Sequence, residues 1–234
     1  FKRQLYAPDF TKLVLSRSKR ISNMHDDTSP IELFNRVARI YPEAFVSLFF
    51  DPRCGMWLVA SPEILLRADG TTGHTIALAG TMVADDDTPE WSQKNRREQA
   101  IVAEYIHDAI RSLGVEAQVD GPATARAGRL LHLRTDFSFP LAQEAVGRLL
   151  SALHPTPAVC GLPKEEARRF ILDNEGYDRR YYSGFSGPLV LGGSTALYVT
   201  LRCVEMHSDS YKLYAGGGIL PESTEQSEWE EIMA

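Results

Sequence analysis

Cysteine is scarce in this sequence: Cys54, Cys160 and Cys203 are its only three, far apart, odd in number and without metal-ligand spacing. That leaves no disulfide framework and no thiolate metal site to build on, and it points to reduced thiols in the cytoplasm. No apolar run approaches the roughly 20 residues a membrane helix needs, and Phe1–Gln4 has no secretory apolar core. A membrane partner is not expected. Positive charge is also in deficit, with 25 Lys and Arg against 31 Asp and Glu and a net charge of −6. Phosphate backbones are bound by clustered cations, so a nucleic-acid partner is not expected either. The one basic cluster, Lys94–Arg97, is surrounded by Glu90, Glu98 and Glu104. Repeats, low-complexity segments and a clear linker are all missing.

What remains is an ordinary globular composition, 44% hydrophobic and 24% charged, in a chain long enough for a sizeable core. Strand and helix patterns come in runs rather than strict alternation, which predicts an α+β domain with antiparallel sheets. The whole of 1–234 reads as one domain. It opens without Met and stops at Ala234 inside a helical pattern, so it is expected to be a fragment lacking an N-terminal part and the end of its last helix.

In Asp9–Arg17 the alternation puts Lys12, Val14 and Ser16 on the more polar face of a strand, where a lone lysine is ordinarily a surface group. Ser29–Ile40 predicts a helix with Ser29 as N-cap, Pro30 first and a stripe of Ile31, Leu33, Phe34, Val37 and Ile40. A hairpin or meander follows over 44–61, turning at Asp51–Gly55. Glu63 then precedes three aliphatic residues; such a carboxyl is either a desolvated proton donor or an exposed strand end. The strand His74–Thr81 ends at a Gly-Thr able to approach a ligand.

Thr88 opens the most legible helix, predicted to run to about Leu113 with Val102, Ile106, Ala109 and Leu113 buried. One turn upstream, Glu98 falls on the same face, which for Glu implies a metal or a partner such as Arg96 or Arg97. Strand character over 129–135 sets His132 among leucines, the setting of a core histidine. Helices are predicted at Pro140–Leu153 and Pro163–Asn174, with the Pro/Gly loop His154–Pro163 between them. Ala196–Cys203 reads as a strand whose Tyr198, Thr200 and Arg202 share a face; Arg202 could fork onto a carboxylate or lie on a solvated sheet. Ser210–Tyr214 should pair with it. The chain then enters Gly216–Gly218, where a backbone without Cβ can bring N–H groups against an anion. In the acidic helix start beyond, Glu228 and Glu231 fall on one face.

Taken in order, Lys12–Arg17, Ser61–Arg67, Leu78–Thr81, His154–Ala158, Leu201–Cys203, Ala215–Ile219 and Glu228–Glu231 resemble the chorismate-utilising enzymes, the isochorismate synthases most closely. The resemblance implies a large α+β domain with two packed antiparallel sheets and outer helices. It further implies Mg²⁺-dependent, reversible conversion of chorismate to isochorismate, in which water adds at ring carbon 2 and the hydroxyl on carbon 4 leaves. By motif match Lys12 activates the water and Glu63 is the general acid. Glu98 and Glu231 match the Mg²⁺ ligands, with Glu228 in or just behind that shell. Arg202 and the amides of Gly216, Gly217 and Gly218 match the grip on the enolpyruvyl carboxylate. Ala79, Gly80, Thr81, His132 and Tyr182 would line the pocket. Relatives that use ammonia usually carry Gln in place of Lys12, and aminodeoxychorismate synthases carry Lys in place of Ala79, so both activities are disfavoured. Salicylate synthases share the Lys base and are the second expectation; a catalytically silent binding module is the third. A monomer is expected.

Overall fold

The computed structural model describes residues 10–22, 28–83, 90–127, 130–190 and 193–233. Two six-stranded sheets carry the fold, and every strand pair is antiparallel. The first has the order β2-β3-β11-β12-β1-β8 and is built from β1 (Lys12–Ser22), β2 (Phe45–Asp51), β3 (Gly55–Ser61), β8 (Gly161–Leu162), β11 (Cys203–Met206) and β12 (Ser210–Ile219). The second, in the order β6-β7-β5-β4-β10-β9, comprises β4 (Ile64–Asp69), β5 (Thr72–Val83), β6 (Gln118–Ala127), β7 (Leu130–Pro140), β9 (Phe185–Ser186) and β10 (Thr195–Val199). This is the two-sheet α+β architecture expected from the sequence.

Five α-helices accompany the sheets among the described residues: α1 (Pro30–Ile40), α2 (Gln93–Arg111), α3 (Val146–Leu153), α4 (Lys164–Asn174) and α5 (Glu225–Met233). Helix α1 begins as the sequence predicts, with Ser29 and Glu32 capping one another's backbone N–H groups and Pro30 in the first turn. Its stripe, however, is only half covered, and Ile31 and Ile40 are exposed. Helix α2 starts later than expected, at the N-cap Ser92; Thr88 lies outside the described residues. Its apolar face closes the main core with the second sheet, burying Val102, Ile106, Ala109 and Ile110 against Leu65, Leu66, Ala77, Phe137 and Val199, while Leu113 is only partly buried. The helix predicted from Pro140 becomes a short 3-10 turn, Gln143–Ala145, followed by α3.

Two connections cross between the sheets side by side, and they correct one expectation. Chain from Ala196 to Cys203 is not one strand: β10 ends at Val199 in the second sheet and β11 starts at Cys203 in the first, with Arg202 at φ 46 between them. The β3-to-β4 connection runs beside it. Val199 N donates to Glu63 O at 2.9 Å and Ala60 N to Arg202 O at 3.1 Å, so the paired backbone bends across the gap without losing all its hydrogen bonds. Glu63 and Arg202 sit at the two bends. Tyr198, Thr200 and Arg202 therefore do not share a strand face.

Candidate active site

The larger cavity, about 610 Å³, lies between the sheets. Its lining includes Glu63, Ala79, Gly80, Thr81, Glu98, His132, Tyr182, Arg202, Gly216, Gly217 and Gly218, together with Val14, Tyr41 and Ile232. Residues spread over most of the chain thus meet around one space.

Strand β1 supplies the lysine. Lys12 is 0% exposed, against the expectation for a lone strand lysine. Its neighbour in the sheet is β12, where Val14 faces Gly218 and Ser16 faces Gly216. Directly opposed residues project to the same side, so Lys12, Val14 and Ser16 share a face with these two glycines. A Cβ on Gly218 would overlap Glu98 Oε1 and stand 2.7 Å from Lys12 Cε; one on Gly216 would stand 2.7 Å from the Tyr182 hydroxyl. Glycine is what lets these side chains lie against the strand. Gly217 looks the other way, toward Ile232 and Glu228.

Lys12 Nζ is 2.8 Å from Glu98 Oε1, outside hydrogen-bonding alignment. Glu98 comes from the buried face of α2, so its partner is the distant Lys12 rather than Arg96 or Arg97. Glu63 is 4% exposed, and burial pushes its carboxyl up to about 7, with the nearby Lys12 ammonium pulling it the other way. It is a buried carboxyl, not an exposed strand end.

On the second sheet a bulge breaks the β5–β7 register between Ala79 and Thr81. Gly80 takes φ 73 there and packs so close to Asn95 of α2 that a Cβ would stand 3.0 Å from its carbonyl. The bulge sets Thr81 opposite His132, with Thr81 Oγ1 and His132 Nδ1 3.2 Å apart. Arg202 Nη2 donates to His132 Nε2 at 3.2 Å, so the ring proton sits on Nδ1, facing Thr81 and the Gly80 carbonyl. Burial and the Arg202 charge lower the imidazole to about 4, keeping it neutral as an acceptor for the guanidinium. The aromatic wall is Tyr182, stacked on Tyr214 at 5.4 Å between ring centroids.

The acidic helix is arranged less simply. Glu228, on α5, is buried and lines a neighbouring cavity of about 320 Å³ with Trp229, Ile232 and the far side of Gly217. Lys94 Nζ, from the first turn of α2, is 2.6 Å from its Oε1, while its Oε2 is buried with no hydrogen-bond partner among the described residues. Glu231 belongs to α5, but its side chain lies outside the described residues. Among the described residues no group of three metal-binding side chains converges. The donors are nonetheless of the kind a hard cation takes: carboxylates on α2 and α5, one with an unsatisfied oxygen. Lys94 and Tyr41 were not singled out from sequence. Lys94 lies one helical turn before Glu98, and that i,i+4 spacing was the available signal; no sequence signal marked Tyr41.

A carboxyl pushed up to about 7 and an arginine fork thus face one cleft, with a fully buried lysine packed behind its Glu98 and Gly218 walls. Residues 2–234 match the family described as chorismate binding enzyme, and the chain belongs to that family. It is 34% identical over 188 residues to isochorismate synthase EntC of Escherichia coli (strain K12), covering 76% of this chain and 48% of EntC. The structure of MenF, the menaquinone-specific isochorismate synthase of E. coli, superposes with a TM-score of 0.83 at 28% identity, over 99% of this chain and 56% of MenF. DhbC from Bacillus anthracis superposes with a TM-score of 0.87 at 28% identity, over 99% of this chain and 66% of DhbC. The chain spans about half the length of the curated relatives it matches.

Proposed function

We propose that this site interconverts chorismate and isochorismate. The observation that carries the reading is the pairing, at one cleft, of a fully buried lysine with a carboxyl held near 7. In its neutral amine form Lys12 takes a proton from the water that adds at ring carbon 2; the ring double bonds shift; Glu63 gives its proton to the hydroxyl leaving carbon 4, which leaves Lys12 as the ammonium and Glu63 as the carboxylate. One water is consumed and one released, so the net change is an isomerisation. Proton return from Lys12 to Glu63 resets the site. Arg202, held by the neutral His132, and the backbone around Gly216–Gly218 grip the enolpyruvyl carboxylate. Ala79, Gly80, Thr81 and Tyr182 shape the walls.

Glu98 and Glu231, with Glu228 beside them, would hold Mg²⁺. When bound, the cation supplies positive charge for the ring carboxylate. The similarity to EntC and MenF supports the isomerase reading over salicylate formation. We further propose a cytoplasmic, monomeric protein with chorismate as its partner; among the described residues no helix is long and apolar enough to cross a membrane.

The test is incubation of the complete protein with chorismate and Mg²⁺, with products separated by chromatography. Isochorismate alone is expected. Salicylate with pyruvate would replace this reading with the second activity, and no magnesium-dependent product would overturn both.

A further inference from the structure

Beyond β8, no described strand pairs with the outer edge of β1, yet its next backbone groups, as far as Ser16 N, find partners. Val14 N donates to Cys160 O at 2.8 Å. The next two edge groups go to an ion pair. Val14 O accepts from Arg179 Nη2 at 3.0 Å, and Ser16 N donates to Glu175 Oε1 at 2.8 Å. Arg179 and Glu175 are themselves joined as a two-pronged fork, Nε to Oε2 at 2.5 Å and Nη2 to Oε1 at 2.6 Å, with the Glu175 side chain 2% exposed. Ser16 Oγ donates to Glu175 Oε1 at 2.7 Å.

The same guanidinium reaches two more segments of the cleft. Nη1 donates to Val159 O at 2.7 Å, next to the lining residue Ala158. Arg179 O accepts from Tyr182 N at 2.9 Å, closing the turn that carries the aromatic wall. One buried pair therefore fixes the strand bearing Lys12, the loop bearing Ala158 and the turn bearing Tyr182 relative to one another.

We propose that Glu175 and Arg179 are positioning residues for the reaction, a clamp that stands in for a missing strand and sets Lys12 against the Tyr182 wall; this rests on the proposed chorismate chemistry. Misplacement of about 1 Å at a reacting group costs on the order of 100-fold in rate. Among the described contacts neither Glu175 nor Arg179 bonds to Arg202 or to Gly216–Gly218 themselves, and the strand pairing of Val14 and Ser16 with those glycines remains when the clamp is lost, so its loss acts on turnover more than on binding.

The experiment uses the complete protein with Arg179→Lys, Glu175→Gln and the double variant. In each single variant kcat, corrected for folded fraction, should fall at least about tenfold while KM for chorismate stays within about threefold. The double should fall no further than the worse single, because the pair acts as one unit. Wild-type kcat in a folded single variant, or KM and kcat worsening together, overturns the proposal. Amide hydrogen exchange gives a reading independent of chorismate. Arg179→Lys should speed exchange at Val14, Ser16 and Tyr182 and leave the β2–β3 hairpin unchanged; unchanged exchange at all three also overturns it. Faster exchange in an enzyme that never turns over chorismate would instead sink the proposed function and leave the clamp standing. If neither single variant folds, Ser16→Ala removes one arm without burying a charge. It should then lower kcat a few-fold at an unchanged Tm, and an unaltered kcat refutes the clamp.

Discussion

Lys94 Nζ stands 2.6 Å from Glu228 Oε1, so the helix that presents Glu98 to the cleft also holds the carboxylate of the final helix. Each of these acids has a lysine for a counter-ion: Lys12 on Glu98, Lys94 on Glu228. Lys94→Met should therefore cost about 2 kcal/mol without divalent cations, because a largely buried carboxylate loses its partner. Added Mg²⁺ should raise Tm more in this variant than in the wild type, since the metal restores positive charge that the wild type already has. Equal Mg²⁺-induced shifts in calorimetry would remove Lys94 from that role.

Lys12→Met keeps the apolar stem and deletes the ammonium. Turnover should drop by at least about 10²-fold. Denaturant unfolding should show a loss of roughly 3 kcal/mol, since Glu98 is left buried and unpaired. Undiminished activity would remove Lys12 from the mechanism.

Glu63 predicts a pH signature in both activity and stability. As the donor it must be protonated, so kcat should decline as pH rises above about 7. Its folded-state pKa is raised from 4.5, so its stabilising contribution is complete below about 4.5 and lost as pH approaches about 7. His132 works in the opposite sense: its pKa is lowered to about 4, and its contribution grows as pH rises from there to about 6.5. The Glu63 share is isolated by subtracting the pH–stability curve of Glu63→Gln from that of the wild type. A difference curve flat from pH 4.5 to 7 would refute the assignment.

The glycine run offers an internal control. Gly218→Ala puts a methyl into Glu98 Oε1 and against Lys12 Cε, whereas Gly217→Ala meets nothing nearer than Ile232 at 3.6 Å. The first should cost roughly 2 kcal/mol or more and abolish turnover; the second should change stability by less than about 1 kcal/mol. Similar outcomes for the two variants, by thermal melting and turnover assay, would show that the Lys12–Glu98 pair does not depend on this bare backbone.

Local rules were legible where local physics decides. Ser29 and Pro30 start α1, Asp51–Gly55 turns the hairpin, and the 3.6-residue stripe of α2 carried Glu98 inward with Val102. Strand β6 escaped because an edge strand needs little apolar character; Gly121 and Pro122 sit at its bulge, and Val119 is exposed. The break at Thr200–Arg202 was hidden because apolar alternation continues across it from one sheet into the other. Burial of Lys12 was illegible for another reason: it depends on Glu98 from α2 and on Gly218 from β12, neither of which is near it in sequence. Of the residues the resemblance nominated, Glu63, Glu98, His132, Tyr182, Arg202 and both runs Ala79–Thr81 and Gly216–Gly218 line one cleft, whereas Glu228 lines the neighbouring cavity; the counter-ion Lys94 and the Glu175–Arg179 pair emerged only from the folded geometry.

The pairing of β1 with β12 joins Leu13 to Ile219, nearly the full described span. This pair cannot form until residue 219 has left the ribosome. Until β12 is released, Lys12 has no glycine strand to lie against and the β1 edge stays open. Long-range closure of this kind is slow and leaves strand edges exposed to other chains. Chaperone demand during synthesis, and sensitivity of soluble yield to growth temperature, are therefore the expected consequences of the same strand pair that borders the candidate cleft.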